Sequence, residues 1–353
     1  MENLGDWPVE GLESVSRCPV CGRGERALLH SGLRDKIFHC APGAWSLYRC
    51  SGCHSAYLDP RPDRASIGAA YQAYFTHQSE GSSAPSKVWN IFRAVRNGYL
   101  NRFCGCALSP ASNLGAVLAS LAPGLGALFR SFMRGLPPAP PTGRLLDVGC
   151  GNGDFLVLAR SAGWDAYGVD FDAAAVAAAQ SQGLNVVQGG IEVFDGQSAK
   201  FDAITLSHVV EHVHDPRALL EACFRLLKPG GYFWVETPNL DSLGHGRFGP
   251  AWRGLEPPRH LVLFNWDGLE GLLAECGFSQ VRSGAWRPVI AGMNAASEAI
   301  EKDGDSLTIS RLKLKSRFLA LSAERHARRD YRRREFVTLY ATKAPILKPG
   351  IEG

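Results

Sequence analysis

Short apolar runs of strand length recur along the second half of the chain, and segments with helical periodicity separate them. The predicted strands cover residues 144–150, 164–170, 184–189, 201–207, 232–238, 278–287 and 335–344. The predicted helices between them cover residues 154–162, 172–182, 215–227 and 269–276. Because parallel strands need crossover connections, this alternation predicts an α/β fold whose doubly wound sheet carries helices on both faces.

The part of the chain before residue 144 has a different pattern. Residues 14–60 contain five of the ten cysteines and many turn residues. Residues 61–136 predict a helical region, and the prolines of residues 137–143 predict a stiff linker. We therefore expect the main α/β domain at residues 144–344, with a helical insertion at about 290–333.

Composition and charge restrict the class of protein only mildly. The 353 residues are 45% hydrophobic and 20% charged, as in ordinary globular proteins. The formal net charge of +4 is too small to indicate nucleic-acid binding by itself. The first residues include acids and lack the basic and apolar regions of a secretory signal, so we expect a cytoplasmic protein with reduced or metal-bound thiols.

A charge-free stretch from Phe103 to Phe129 is long enough to span a bilayer. Pro110, Pro123 and several glycines interrupt it. We interpret it as one or two helices of a soluble protein. Contact with a membrane surface is left open but is not favoured.

A glycine-rich loop, residues 149–154 (GCGNGD), follows the first predicted strand of the α/β domain. Ligands of such sheets bind beyond the carboxyl ends of the strands, at the point where the strand order reverses. Gly149, Gly151 and Gly153 permit positive φ and close approach of a ligand to backbone N–H groups, and Cys150 lies between them. The helix that follows favours an anion at its N-terminus.

Acidic residues around this loop indicate which ligand it binds. A dinucleotide-binding fingerprint would need glycine at position 154, where this chain has Asp154. The carboxylates of Asp154 and Asp147 would also repel a pyrophosphate. S-adenosylmethionine carries an ammonium, a carboxylate and a sulfonium, which suit these acids and the loop. Asp170 ends the second strand, where it can accept hydrogen bonds from the ribose, and Phe171 can pack on the adenine. The turn after the third strand, which contains Ile191, is expected to line the other adenine face.

Four segments together resemble the class I S-adenosylmethionine-dependent methyltransferases. They are LLDVGCGNGDFL at the glycine loop, FDAITLSHVVEHVHDP (201–216), LLKPGGYFWVETPN (226–239) and WRGLEPPRHLVLFN (252–265). The last is similar to a stretch found in bacterial members that often serve sugar, polysaccharide or small-metabolite pathways. The resemblance implies a Rossmann-like sheet of seven strands, with residues 335–344 as an antiparallel seventh strand.

The segment HVVEH (208–212) allows two interpretations. Its letters match the H-x-x-E-H pattern of inverted zincins, in which two histidines one helical turn apart bind zinc. The segment lies between a buried strand and a proline turn, however, so a long helix is not expected and the zincin interpretation is disfavoured. In the methyltransferase interpretation, Ser207 and His208 lie near the methionine part of the cofactor, while Glu211 and His212 support the pocket or reach the substrate.

Two C-x-x-C pairs predict a zinc site near the N-terminus. Cys18 with Cys21, and Cys50 with Cys53, can supply four thiolates to one tetrahedral ion. His39, Cys40 and His54 are spare donors that could replace one thiolate. A site closed by four ligands is structural, so we expect Zn²⁺ to stabilise a zinc-ribbon-like module. The pattern is similar to the front module of some bacterial methyltransferases, including sugar C-methyltransferases, in which it helps to shape substrate binding.

Candidate catalytic residues follow the fifth predicted strand. His260 is the first choice for a general base or a substrate contact, because histidine titrates near neutral pH, and His212 and His245 are further candidates. Glu256 is another alternative, and Arg253 and Arg259 could bind a phosphate or carboxylate of the substrate.

A strongly basic segment covers residues 311–334. We interpret it as a solvated helix face, with an anionic substrate or lipid surface as alternatives and RNA as the least favoured partner. The sequence as a whole predicts an enzyme that transfers a methyl group from S-adenosylmethionine to an oxygen or carbon of a small-molecule or saccharide intermediate. A non-catalytic zinc-ribbon adaptor and an NAD-dependent oxidoreductase remain the alternatives, and the oligomeric state is left open.

Overall fold

A computed structural model describes residues 5–71, 87–302 and 314–345. Parts of the predicted helical region and of the basic segment, residues 72–86 and 303–313, lie outside the described residues.

The N-terminal region is built from short antiparallel strands. They are β1 (Leu12–Glu13), β2 (Arg26–Leu33), β3 (Trp45–Cys50), β4 (Ala56–Leu58) and β5 (Arg61–Pro62). Strand β1 pairs with β5, and β2, β3 and β4 form an antiparallel sheet. A 3-10 turn, Ile67–Tyr71, ends this region.

Three helices follow, namely α1 (Lys87–Cys104), α2 (Asn113–Ser120) and α3 (Pro123–Ser131). The side chain of Ser112 caps α2 by accepting a hydrogen bond from the backbone N–H of Gly115. Among the described residues, no single helix is long and apolar enough to cross a membrane; α2 and residues 124–131 reach that length only as a pair bent by 117°.

The rest of the described chain forms the large α/β unit. Its strands are β6 (Arg144–Val148), β7 (Asp165–Asp170), β8 (Asn185–Gln188), β9 (Phe201–Ser207), β10 (Leu227–Pro238), β11 (Val262–Leu263), β12 (Phe278–Ser283) and β13 (Phe336–Lys343). Its helices are α4 (Asp154–Ser161), α5 (Ala173–Ser181), α6 (Pro216–Leu226), α7 (Leu243–Phe248), α8 (Trp266–Glu275), α9 (Ile290–Glu301) and α10 (Leu314–Arg329).

Seven of these strands form one sheet in the order β12-β13-β10-β9-β6-β7-β8. Strands β6 to β10 pair in parallel, whereas β13 is antiparallel to both β10 and β12. The order reverses between β6 and β9, which places the predicted ligand cleft at the carboxyl ends of these two strands. This arrangement confirms the predicted Rossmann-like, seven-stranded fold with an antiparallel seventh strand.

The local signals explain most element bounds. The side chain of Asp172 accepts hydrogen bonds from the backbone N–H groups at the start of α5, and Asp215 does the same for α6. Helix α6 ends at Leu226, and β10 starts at once with Leu227, five residues before the predicted strand. The KPGG segment (228–231) therefore lies inside the observed strand, at an irregularity in its pairing with β9.

Strand β11 was not predicted and joins the two halves of the molecule. It pairs with β4 and so becomes the fourth strand of the N-terminal sheet, although it comes from residues 262–263. The buried side chains of Cys18, Cys50 and Tyr57 also belong to the same apolar cluster as the core of the large sheet. The N-terminal region is therefore packed against the large α/β unit rather than held by its linker alone.

Candidate cofactor and acceptor site

The glycine loop turns sharply at the end of β6. The backbone N–H groups of Gly149 and Cys150 both donate to the carbonyl of Val169, at 2.8 and 3.1 Å, which ties the loop to β7. Gly149, Gly151 and Gly153 have φ values of 70°, 54° and 84°, a region that favours glycine.

The three glycines serve different purposes. A Cβ on Gly149 would lie 2.5 Å from Cγ2 of Val209, and one on Gly153 would lie 2.3 Å from Cδ1 of Leu184, so both positions are closed by packing. Apart from Gly151 itself and its two chain neighbours, no atom of the described residues lies within 4 Å of a Cβ placed on Gly151. The backbone at Gly151 therefore borders open space at the mouth of the cleft.

Asp170 lies beside this space at the end of β7. One carboxylate oxygen accepts from the backbone N–H of Gly151 at 2.8 Å, and the other accepts from the N–H of Asp172 at 2.9 Å. Each oxygen has a second lone pair, so the carboxylate can still accept from a ligand. The ring of Phe171 is 71% exposed and approaches Gly190, where a Cβ would lie 2.7 Å from its Cζ.

Ile191 begins a short 3-10 helix, Ile191–Phe194, directly after Gly190. Its side chain is half-buried against the main apolar cluster. The structure thus brings Asp170, Phe171 and the turn at Ile191 to one side of the glycine loop, as the sequence had suggested for a nucleoside.

Asp147 has a different environment from the one expected. Its side chain is fully buried, and one oxygen accepts from Nη1 of Arg134 and from Oγ1 of Thr205, the latter at 2.8 Å. Burial raises the pKa of Asp147, although Arg134 and Thr205 act against this shift. Arg134, which follows α3, therefore pairs with one oxygen of Asp147 inside the fold, while the other oxygen is buried without a hydrogen-bond partner among the described residues. The assignment of Asp147 to the cofactor site stays a prediction.

Cys150 lies in the predicted ligand loop with its side chain packed inside the fold, and its assignment as a cofactor contact stays a prediction. Its thiol is buried, lies where a Cβ on Gly168 would stand, and has its pKa raised by burial. Only the backbone of Cys150 belongs to the surface of the loop, because its side chain fills the gap between α4 and β7.

Ser207 and His208 lie at the end of β9, next to the glycine loop. His208 adopts φ 55° and 39% of its side chain is exposed. Its Nδ1 lies 3.2 Å from Oε1 of Glu211, and its Nε2 lies 3.7 Å from Oε1 of Glu236. Although burial opposes a positive ring, these two carboxylates raise the pKa of His208 to about 9. We therefore expect a protonated His208 at neutral pH.

Glu236 in β10 was not singled out from the sequence. Its carboxylate accepts from Arg287 and, at 2.7 Å, from Oγ1 of Thr338. Burial would raise its pKa, but Arg287 and His208 lower the pKa of Glu236 to about 2. An acid inside a buried strand was a visible signal, whereas its partners are distant in sequence.

Residues 208–213 form turns rather than a helix, as expected. Glu211 and His212 from this segment meet His260 from the loop before β11, and their ligand atoms lie within 4.8 Å of one another. The rings of His212 and His260 are 4.7 Å apart between centroids. Burial lowers the pKa of His260 to about 4, so this ring is neutral at pH 7.

His245, the third candidate, belongs to a separate pair. It lies in α7, its Nδ1 donates to the carbonyl of Leu240 at 2.6 Å, and its Nε2 lies 2.9 Å from Nε2 of His30 in β2. The structure therefore places His245 against the N-terminal sheet, while His212 and His260 lie together.

The two arginines considered as substrate contacts have protein partners. Arg259 is fully buried and binds Asp35 with both terminal nitrogens, at 2.7 and 3.1 Å. Arg253 donates to Glu256 at 2.6 Å. Arg259 is thus a structural residue, and Glu256 is the ion-pair partner of both arginines. Burial by itself would raise the pKa of Glu256, but His260 and the two arginines lower it to about 2.

The four paired cysteines converge near the N-terminus. Sγ of Cys18 lies 3.6 Å from that of Cys53, and Sγ of Cys21 lies 3.5 Å from that of Cys50. All four sulfurs lie within 4.8 Å of one another. The Zn–S distance of about 2.3 Å implies sulfur–sulfur separations near 3.8 Å in a tetrahedral site, so this set fits zinc.

The spare donors lie elsewhere or have other contacts. The thiol of Cys40 approaches Asp35 at 3.7 Å and the carbonyl of Ala70 at 3.3 Å. His54 has φ 60° and holds the position in its knuckle that Gly22 holds in the other, since the N–H of each donates to the carbonyl of the first cysteine of its pair. The geometry therefore selects the four thiols that the spacing predicted.

The strand order and the glycine loop at its reversal point define a class I methyltransferase fold with a nucleoside-type cleft. The methyltransferase domain family model matches residues 108–283. This part of the chain belongs to the class I S-adenosylmethionine-dependent methyltransferases.

Proteins whose sequences are similar to this chain are named as methyltransferases. A ubiquinone biosynthesis O-methyltransferase of Cronobacter sakazakii is 36% identical over 106 residues, 28% of this chain and 44% of that protein. A probable S-adenosylmethionine-dependent methyltransferase of Mycolicibacterium smegmatis is 31% identical over 136 residues, 38% of this chain and 51% of that protein. The chain thus spans about half the length of the curated relatives it matches. A solved SAM-dependent methyltransferase from Archaeoglobus fulgidus matches with a TM-score of 0.42 and 21% identity, over 64% of this chain and 94% of that one.

Proposed function

We propose that this protein is an enzyme that transfers a methyl group from S-adenosylmethionine to an oxygen or carbon of a small molecule or saccharide intermediate. The family match and the names of the relatives support methyl transfer. The observation that carries the proposal is the combination of open backbone at Gly151 with the carboxylate of Asp170 beside it.

The residues around the cleft fit the cofactor. The open backbone at Gly151, at the N-terminal end of α4, suits a carboxylate. Asp170 has lone pairs for the ribose hydroxyls, and the exposed ring of Phe171 offers a face for the adenine. The bound cofactor supplies an electrophilic methyl group on sulfur, while the protein holds the acceptor in line and takes up a proton where the acceptor is a hydroxyl.

On the acceptor side, His208 directly follows β9, the strand beside β6 in the sheet, and it is half-buried. Because Glu211 and Glu236 keep it protonated, it suits an anionic or strongly polar acceptor group. The neutral ring of His260 lies behind it with His212 and Glu211, and this group is the place where an acceptor hydroxyl would be activated. The role of His245 as a catalytic residue stays a prediction.

The cysteine cluster is proposed to hold structural Zn²⁺. Four thiolates leave no open position, and the cluster shares its apolar core with the catalytic sheet. Zinc would therefore stabilise the N-terminal sheet and, through β11, the loop that carries His260. A saccharide acceptor and a cytoplasmic location remain predictions from the sequence.

Isothermal titration of S-adenosylmethionine tests the proposed function. We expect wild-type protein to bind it and Asp170→Asn to bind about 10- to 100-fold more weakly, because a hydrogen bond to a charged group contributes roughly 1.5–3 kcal/mol. Asp165→Asn, at the other end of β7, is the matched control and should bind normally. Absence of binding by the wild type, or stronger binding of NADH, would overturn the proposal.

A further inference from the structure

The cluster formed by Glu211, His212 and His260 is unusual because it combines two imidazoles and a carboxylate in a largely buried place. Glu211 is fully buried and His260 is 4% exposed, whereas His212 is half-buried. One ligand atom of each residue lies within 4.8 Å of the others.

The hydrogen bonds of the two histidines fix which ring nitrogen is free. Nδ1 of His212 donates to the carbonyl of Arg259 at 2.9 Å, and Nδ1 of His260 donates to the carbonyl of Gly254 at 2.8 Å. A carbonyl can only accept, so each Nδ1 carries the proton and each Nε2 keeps its lone pair. Histidines that bind metals are held in this way, by a carbonyl or carboxylate on the second nitrogen.

The carboxylate is also incompletely satisfied. One oxygen of Glu211 contacts Nδ1 of His208 at 3.2 Å, while the other is buried without a hydrogen-bond partner among the residues that the structure describes. A buried carboxylate oxygen without a partner is costly, and a cation is the partner that would remove this cost.

We propose that Glu211, His212 and His260 bind a divalent first-row transition ion such as Zn²⁺, at a second metal site separate from the cysteine cluster. Two imidazole nitrogens and one carboxylate oxygen are a common donor set for zinc and for its neighbours in the row. The H-x-x-E-H pattern predicts His208 as a ligand. In the structure the second histidine of the cluster is instead His260, which lies 48 residues after His212 in the sequence.

Three protein ligands leave at least one coordination position for another oxygen. If the proposed function holds, that oxygen would belong to the methyl acceptor, since a bound metal would lower the pKa of a hydroxyl enough for its proton to pass to solvent water before methyl transfer. The two roles exclude each other at the same atoms: with the ion bound, the Nε2 lone pairs of His212 and His260 are not proton acceptors. Metal binding itself does not depend on the proposed function.

Metal analysis of the full-length protein tests the proposal. After exhaustive dialysis against a buffer that contains a fixed micromolar Zn²⁺ concentration and no other transition metal, we expect two equivalents of zinc in the wild type. Glu211→Gln, His212→Asn and His260→Asn should each retain one equivalent. Removal of a group that only hydrogen-bonds to a metal ligand already costs about 10- to 100-fold in metal affinity, so loss of a ligand itself should exceed roughly 100-fold. His245→Asn, which changes a half-buried histidine outside the cluster, should retain two equivalents.

Substitution with Co²⁺ identifies which site each equivalent occupies. Thiolate ligands give an intense near-ultraviolet charge-transfer band, which should remain in the three cluster variants, while the weaker visible absorption of the nitrogen–oxygen site should disappear. A wild type whose only metal shows the thiolate band would overturn the proposal, as would a second equivalent that persists in all three variants.

Titration with S-adenosylmethionine in the same samples separates the two proposals. Two metal equivalents without cofactor binding would overturn the proposed function and leave the second metal site standing. Cofactor binding with metal at the cysteines alone would do the reverse. Thermal unfolding of each variant shows whether it is folded, and the wild-type stoichiometry decides the question even where a variant does not fold.

Discussion

The buried ion pair between Arg259 and Asp35 provides the sharpest test of how the N-terminal region is attached to the cleft. Both side chains are fully buried and form two hydrogen bonds of 2.7 and 3.1 Å. Arg259 also donates to Glu256 at 3.1 Å and to the carbonyl of Ala70 at 3.0 Å. All three guanidinium nitrogens therefore donate within the protein, and Arg259 links the loop that carries His260 to two segments of the N-terminal region.

Substitution of Arg259→Leu should destabilise the protein strongly. Removal of one partner from a buried ion pair costs about 3–5 kcal/mol, because the other charge remains buried and unpaired. Asp35 keeps hydrogen bonds from the backbone N–H groups of residues 37, 38, 40 and 41, at 3.1 to 3.3 Å, so we expect the lower end, about 3 kcal/mol. The double variant Asp35→Asn with Arg259→Leu should lose less than the sum of the two single variants.

Urea unfolding followed by tryptophan fluorescence measures this loss as a shift of the midpoint at unchanged slope. The control is Arg332→Ala, which breaks an exposed ion pair with Asp267 and should cost only about 0.2–1 kcal/mol. If Arg259→Leu shifts the midpoint no more than Arg332→Ala does, the buried pair does not hold the two regions together.

The same pair predicts a pH dependence with a definite sign. Burial by itself would raise the pKa of Asp35, but Arg259 and the backbone N–H groups hold it well below its usual value. The stabilisation from a carboxylate with a lowered pKa is complete above its unfolded pKa of about 3.9 and is lost as the pH falls further. The stability difference between the wild type and Arg259→Leu should therefore be constant from pH 5 to 8 and narrow below about pH 4.

Three further predictions address other parts of the site. The protonated His208 stabilises the fold fully below its unfolded pKa of 6.5, and this contribution is lost as the pH rises through about 9. The difference in melting temperature between the wild type and His208→Gln should therefore decrease between pH 6.5 and about pH 9. A difference that stays constant over this pH range would contradict the assigned ion pairs. Gly151→Ala should cost about 1 kcal/mol of folding stability, because φ at this position is 54°. It should also weaken S-adenosylmethionine binding in a calorimetric titration, since the added methyl group would enter the open space beside the loop. Unchanged affinity would place the cofactor elsewhere. Cys18→Ser combined with Cys21→Ser should abolish zinc binding at the cysteine cluster and lower the melting temperature, whereas Cys104→Ser should do neither. Metal analysis and calorimetry measure the two effects. Zinc retained at the cysteine cluster by the double variant would refute the assigned ligands.

The parallel core of the fold could be predicted from the sequence because its signals are local. The apolar run that ends at Val148 is followed by glycines with positive φ, and Asp172 caps the helix after the second strand. Strand β11 could not be predicted, since a run of two residues has no periodicity and pairs with β4, some 200 residues earlier. The same limit applies to Arg134, which neutralises Asp147 from a segment that precedes the sheet.

The sequence by itself determined the sheet, the ligand loop and the set of four cysteines, because each depends on residue types at short, fixed spacings. Only the tertiary structure decided how the histidines and arginines divide their roles. It separated His245 from His260, buried Arg259 against Asp35, and joined His260 to Glu211 and His212. The physical reason is that burial and the choice of partner set the charge of a histidine and the availability of an arginine, and both depend on which distant segments the fold brings into contact.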